Sequence, residues 1–344
     1  MTTTEGIASA PTVTASKPSS GRLSRILRRP EAGAAAGTAL VFVFFAAFGL
    51  HAGFLDTGGY VSWLAVAAEL GIVALAVGML MIAGEFDLSV GSVVAASSMI
   101  VAVPVAQFGW PLWLAIVLAL AFGVLIGLVN GLLVVTTGLP SFIVTLVTLF
   151  AVAGAALSVS RTVAGTTTVS VSTSGFAHDL FAGHVGSFNV SLIWWLAVAA
   201  IGQYLLQSTG FGNWVFSIGG DLETARLNGV PVRTVKLRLY MYSGFSAALV
   251  GVIQAVEFNN ADVTRGQSFV FEAIVAAVVG GSLLSGGYGS VVGIVFGTMT
   301  YSIVSVGIYY TGWNPDLVQL FVGVLLFVAV VGNNFVRRLA LSRP

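Results

Sequence analysis

The sequence contains no cysteine, so disulfides, thiol nucleophiles and cysteine metal sites are excluded. Charge is nearly as scarce. Only 8% of the 344 residues are Asp, Glu, Lys or Arg, where a soluble domain carries about 25%. Lysine occurs twice, at Lys17 and Lys236. Neither closes a Walker-type phosphate loop, so ATP hydrolysis by that route is excluded. The three histidines, His51, His178 and His184, are too scattered to argue for a metal. No side chain is set up for covalent chemistry, and no enzyme activity is expected. A net charge of +1 gives no reason to expect a nucleic-acid partner.

What is present is apolar. The chain is 57% hydrophobic with a mean hydropathy of +0.99, which marks an integral membrane protein. Its apolar runs are continuous and longer than the alternating stretches of about 10 residues that build a membrane barrel. The expected fold is all-α, with about ten transmembrane helices at 35–54, 61–83, 89–107, 111–134, 140–159, 191–208, 238–256, 268–284, 288–309 and 316–334. Most reach the roughly 20 residues that a span needs. The third begins with small and hydroxyl residues, contains Pro104, and is expected to be broken or re-entrant. The eighth is short and runs into glycines. Residues 1–34 read as a disordered basic tail with no cleaved signal, and 35–338 as the transmembrane domain.

The charges test this count. With ten spans and the N-terminus inside, the cytoplasm receives Lys17, Arg22, Arg25, Arg28, Arg29, Arg226, Arg233, Lys236, Arg238, Arg337, Arg338 and Arg343. Only Arg161 and Arg265 fall outside. The positive-inside rule therefore places both termini in the cytoplasm. It leaves eight spans open, because a pair can be dropped without moving either end. The outside loops are then about 161–190 and 257–267, either simple connections or a landing place for a partner that delivers substrate.

Polar residues stand out against this background. The wettest stretch is 209–238, which holds Asp221, Glu223, Arg226, Arg233, Lys236 and Arg238 among glycines. It reads as a cytoplasmic loop containing a short helix. Gly84 to Gly91 carries Glu85 and Asp87, with Asp87 expected to cap a helix starting at Leu88. That pair reads first as structure at the membrane edge and second as a solute contact. Asn130-Gly131 and Gly138 are expected to bracket a turn, after which Pro140 starts a helix bearing Ser141 and Thr145. For those two, helix contact and solute contact stay equally open. The glycines of 280–290 read as a tight turn. Glu272, just before them, is an intramembrane carboxylate and so a functional candidate. Glu69 lies mid-segment and needs a partner or a wet cavity.

Four stretches together carry a family resemblance: GEFDLSVGS at 84–92, LPSFIVTL at 139–146, FGNWVFSIGGDLETARLNGV at 211–230 and EAIVAAVVGGSLLSGGYGSVVGIVFG at 272–297. The chain resembles, over about 35–338, the permease subunits of bacterial ABC sugar importers of the ribose/xylose type, in the superfamily that includes branched-chain amino-acid permeases. The sugar group usually has a second Gly and an Ile where this chain has Glu85 and Phe86. The resemblance implies that Asp221, Glu223, Thr224, Ala225, Arg226, Leu227 and Gly229 form a coupling segment docking on an ABC ATPase subunit. It also implies a periplasmic or lipid-anchored solute-binding protein, a second permease chain forming a homodimer, and ATP bound only by the partner subunit. The location it implies is the bacterial inner membrane, multi-pass.

Two functions are then in play. The first is import of a monosaccharide or related polyol by alternating access, with Glu85, Asp87, Ser89, Ser92, Ser141, Thr145, Ser243 and Glu272 as candidates for the path or gate. The second is a secondary transporter coupled to an ion, with Glu69, Asp87 or Glu272 as the relay.

Overall fold

The computed structural model describes residues 30–341. The basic tail up to residue 29 and the last three residues, Arg343 among them, lie outside the described part. The fold is all-α, with thirteen helices and four very short strands among the described residues.

The helices are α1 (Pro30–Gly49), α2 (Thr57–Ile82), α3 (Val90–Phe108), α4 (Leu112–Thr137) and α5 (Ser141–Ala164). Then come α6 (Phe176–Ala182), α7 (Ser191–Ser208), α8 (Gly210–Gly220), α9 (Leu222–Leu227) and α10 (Val232–Glu257). The last three are α11 (Phe269–Val279), α12 (Val291–Thr311) and α13 (Leu317–Leu341). Eight of them are long and apolar enough to cross a membrane, and α11 and the apolar part of α13 are shorter. These ten elements coincide one for one with the ten apolar segments. Helix α1 starts at Pro30, inside the expected tail, because proline fits the first helical turn and Glu31 favours its positive end.

One crossing is not a plain helix, and another is preceded by non-helical chain. At about 1.5 Å per residue, α11 is only about 16 Å long and cannot span a core of about 30 Å. Residues 280–290 complete that crossing as a turn, and Ser290 caps α12 by accepting the Gly293 N–H at 3.0 Å. In the third crossing, α3 begins at Val90, and residues 85–89 precede it as non-helical chain. The third segment itself is one continuous helix of crossing length, with Pro104 near its end, so the non-helical stretch precedes it and does not break it.

α2, α3, α10, α11 and α12 form the core, with nearly every side chain of α2 after Ala67 buried. α4 packs on α10 through Gly123, Gly127 and Gly131, one glycine per turn. A Cβ at Gly123 would strike the Gly244 carbonyl, and one at Gly127 the Tyr240 carbonyl. This close approach is the membrane use of small residues at four-residue spacing. One end of the bundle carries α8 and α9. The other carries β1 (Thr168–Ser170) paired antiparallel with β4 (Asn260–Asp262), and the hairpin of β2 (His184–Val185) and β3 (Phe188–Asn189). The two expected outside loops thus meet at that end as a joined cap. Asp262 is part of it, and burial raises its pKa less than the hydrogen bonds from Thr168 and Thr264 lower it.

Candidate functional site

The non-helical run from Glu85 to Ser89 is the centre of the site. α2 ends at Ile82, and Gly84 takes a φ of 78°, a left-handed turn that a side chain would strain. The chain then turns back into the bundle in extended form. Backbone groups without helix partners are tolerated at membrane depth only when protein satisfies them. Here two helix faces do so.

The first face belongs to α10, where Lys236, Tyr240 and Ser243 follow each other at i, i+4 and i+7. Lys236 Nζ donates to Glu85 Oε1 in a buried ion pair. The Tyr240 hydroxyl lies 3.2 Å from the Phe86 carbonyl oxygen and 3.4 Å from Glu85 Oε2. Ser243 Oγ donates to Asp87 Oδ2 at 2.8 Å.

The second face belongs to α5, where Ser141, Thr145 and Thr148 repeat the same spacing. The Phe86 N–H donates to Ser141 Oγ and the Leu88 N–H to Thr145 Oγ1, both at 3.1 Å. Thr148 Oγ1 donates to Asn130 Oδ1 at 2.6 Å, and Asn130 Nδ2 donates to Ser89 Oγ at 2.9 Å. Ser89 in turn gives both its N–H and its hydroxyl proton to Asp87 Oδ1, at 3.0 and 2.6 Å. Asp87 thus receives three donors, which suits an ionised carboxylate, an acceptor-only group. Ser92 closes the set by donating to the Ser89 carbonyl at 2.9 Å.

Seven of the eight sequence candidates, all except Glu272, converge on this network. All are buried, Asp87 at 2% exposure. What the arrangement does is hold an extended segment between α4, α5 and α10. At its mouth is a cleft of about 700 Å³, whose wall includes Glu85, Phe142, Leu222, Arg226 and Lys236.

Helix α9 borders that cleft. Asp221 caps it, with Oδ1 accepting the Thr224 N–H at 2.7 Å. This bond chiefly holds the Asp221 carboxyl below the usual aspartate range. Ala225 is buried, while Glu223, Thr224 and Arg226 face outward and Leu227 is 88% exposed. The Glu223–Arg226 pair, at 3.6 Å on the surface, contributes little. Gly229, at φ 76°, turns the chain into α10.

A family described as "Branched-chain amino acid transport system / permease component" matches residues 59–330. The chain belongs to this permease family. The inner membrane ABC transporter permease protein YjfF of Escherichia coli is 32% identical over 81% of this chain and 84% of its own. The fructose import permease protein FrcC of Rhizobium meliloti is 31% identical over 79% and 77%. The galactose/methyl galactoside import permease protein MglC of Escherichia coli is 33% identical over 75% and 81%. No solved structure matches the chain significantly.

The permease departs from the sequence expectations at several points. The stretch 209–238 is mostly helical, and its end from Val232 onward belongs to α10, so Lys236 is a buried pair member and not a loop charge. Asp87 is not the cap of a helix at Leu88. The helix starts at Val90 with Ser89 as N-cap, because Ser243 and Ser89 already engage the Asp87 carboxylate. Asn130-Gly131 lies inside α4 and forms no turn, since the network holds the amide and α10 packs on the glycine.

Glu272 stands apart on α11, interacting with Tyr301 and Ser268. Glu69 has found a partner in Gln254, whose Nε2 donates to it at 2.5 Å. Trp195 is buried against Gly71. Tyr240 and Thr148 carry no signal in the sequence beyond their helical spacing from Lys236 and Ser141.

Proposed function

We propose that this permease moves a monosaccharide or related polyol across the bacterial inner membrane by alternating access, driven by ATP that a separate subunit hydrolyses. The relatives named above import fructose and galactose or methyl galactoside, and another, 30% identical, is the autoinducer 2 import permease LsrD of Salmonella typhimurium. None of these names singles out ribose or xylose. As a permease component of this family, the chain acts with an ATPase and a solute-binding protein.

The observation that carries the docking role is Leu227. A large apolar side chain, 88% exposed on a capped one-and-a-half-turn helix, is the feature of an anchor for another protein. With Ala225 turned inward, the contacting face is Glu223, Thr224 and Leu227. That end of the bundle is then cytoplasmic, both termini lie on the same side, and the β1–β4 cap faces the solute-binding protein. ATP is held by the partner and no cofactor by this chain. A second copy of the permease completes the translocation path, with Asp87 and its partners bracing the moving helices and Glu272 on the path side.

Co-expression with the ATPase tests the docking. Leu227→Asp and Glu223→Arg are expected to insert in the membrane normally and to lose the ATPase on purification. Unchanged co-purification together with unchanged transport would remove α9 from the interface.

A further inference from the structure

We propose that Glu85 and Lys236 are the positioning pair through which α9 moves the 85–89 segment. The proposal rests on the reading of α9 as the docking helix. Three observations carry it.

The first is connectivity. Only residues 228–231 separate α9 from α10, and they are folded back on α9, with the Val230 N–H donating to the Ala225 carbonyl at 3.1 Å. No slack lies between the two helices. Lys236 is in the second turn of α10, so a displacement of α9 reaches it directly.

The second is position in the network. The α10 face grips three successive residues. Its innermost grip, on Asp87, is shut off from solvent, and the middle one, on the partly exposed Phe86, is a neutral hydrogen bond. The Lys236–Glu85 grip is the outermost and lies on the cleft wall, each side chain keeping about a tenth of its surface open. It is the one charged contact of the three that water can reach when it parts, so it can open and close without leaving a charge dry.

The third is energetic. A buried ion pair is a poor way to add stability, since apolar residues of the same shape serve as well or better. The best-attested use of such pairs is to fix register or to switch. One of only two lysines in the chain is spent on this contact. The other charges on the cleft wall, Arg226 and Arg233, are both cations, so Glu85 is the carboxylate there that can hold Lys236. When the ATPases move α9, Lys236 pulls Glu85, and the segment leading into α3 follows.

The test uses the full complex of permease, ATPase and binding protein in proteoliposomes, with ATP hydrolysis and solute uptake measured on the same sample. Four variants are compared with the wild type: Glu85→Gln, Lys236→Met, the double Glu85→Gln/Lys236→Met, and the exchange Glu85→Lys/Lys236→Glu. The double variant leaves neither member of the pair as an unpaired charge and is expected to keep the thermal midpoint and the hydrolysis rate. Its uptake per ATP is expected to fall about tenfold, a usual size for coupling between sites. The exchange, which restores attraction, is expected to recover most of that loss. A double variant with wild-type uptake per ATP overturns the proposal while leaving the importer reading intact. So does a loss of uptake that tracks the thermal midpoint across all four. ATP-independent uptake by the wild type would overturn both.

Discussion

Asn130 sits in the middle of α4 and donates its Nδ2 hydrogen to Ser89 Oγ at 2.9 Å, joining two crossings through a single amide. Its carbonyl oxygen accepts from Thr148 of α5, so three helices meet at one side chain. Removing it as Asn130→Ala deletes two hydrogen bonds, while Ser89 keeps its bond to Asp87 and Thr148 its bond to the Val144 carbonyl. Each bond lost in this way costs about 0.5–1.5 kcal/mol. The thermal midpoint of the purified permease is expected to drop clearly for Asn130→Ala, and less for Thr148→Val, which removes one arm alone.

Asp87 makes a second prediction through the sign of its partners. All three are donors. Asp87→Asn removes the charge that strengthens all three bonds and makes the Ser243 hydroxyl turn round to accept from the new NH2, whereas Ser243→Ala removes one donor and leaves two. The amide variant is expected to be the less stable, by about 1–3 kcal/mol, when both are melted side by side. Equal midpoints would show that the carboxylate's charge state does not matter to the fold.

The glycines of α4 make a third. A Leu at Gly127 cannot coexist with the Tyr240 carbonyl, so α4 must separate from α10. The expected outcome for Gly127→Leu is loss of the monodisperse peak in size exclusion. Gly154→Leu, which meets nothing within 4 Å, keeps that peak.

Much of this is legible in the sequence. The ten crossings follow from hydropathy, but the third is an unbroken helix from Val90, whose hydroxyl residues Ser92, Ser97 and Ser98 are buried against protein. Glu69 mid-segment calls for a partner or a wet cavity, and the structure gives it a partner, Gln254. The misreadings share a cause. Asn-Gly is a turn pair in water, but in α4 it is packed by α10, and tertiary contact overrode the local signal. Lys236 was grouped with the neighbouring charges of the loop because its carboxylate lies 151 positions away. Glu272, grouped with the network by type alone, belongs to a different helix pair.

The cap of α9 makes a pH prediction. Asp221 is held below its ordinary value of 3.8 chiefly by the Thr224 N–H. A depressed carboxylate stabilises above its unfolded value, so the cap is fully in place at neutral pH. It is lost as the pH falls below 3.8 through the lower native value. At neutral pH, Asp221→Ala is expected to speed hydrogen exchange in α9, while Asp221→Asn, which still accepts the N–H, keeps most of the protection. Identical exchange in all three would show that the cap does not hold the helix.

The central claim, that this permease works as one part of an ATP-driven importer, is met most directly by a single uptake measurement. Proteoliposomes holding the permease and its ATPase are supplied with loaded solute-binding protein outside, with ATP or a non-hydrolysable analogue inside. The account predicts solute accumulation with ATP alone and none with the analogue. Accumulation driven by an ion gradient in liposomes that lack the ATPase would contradict it.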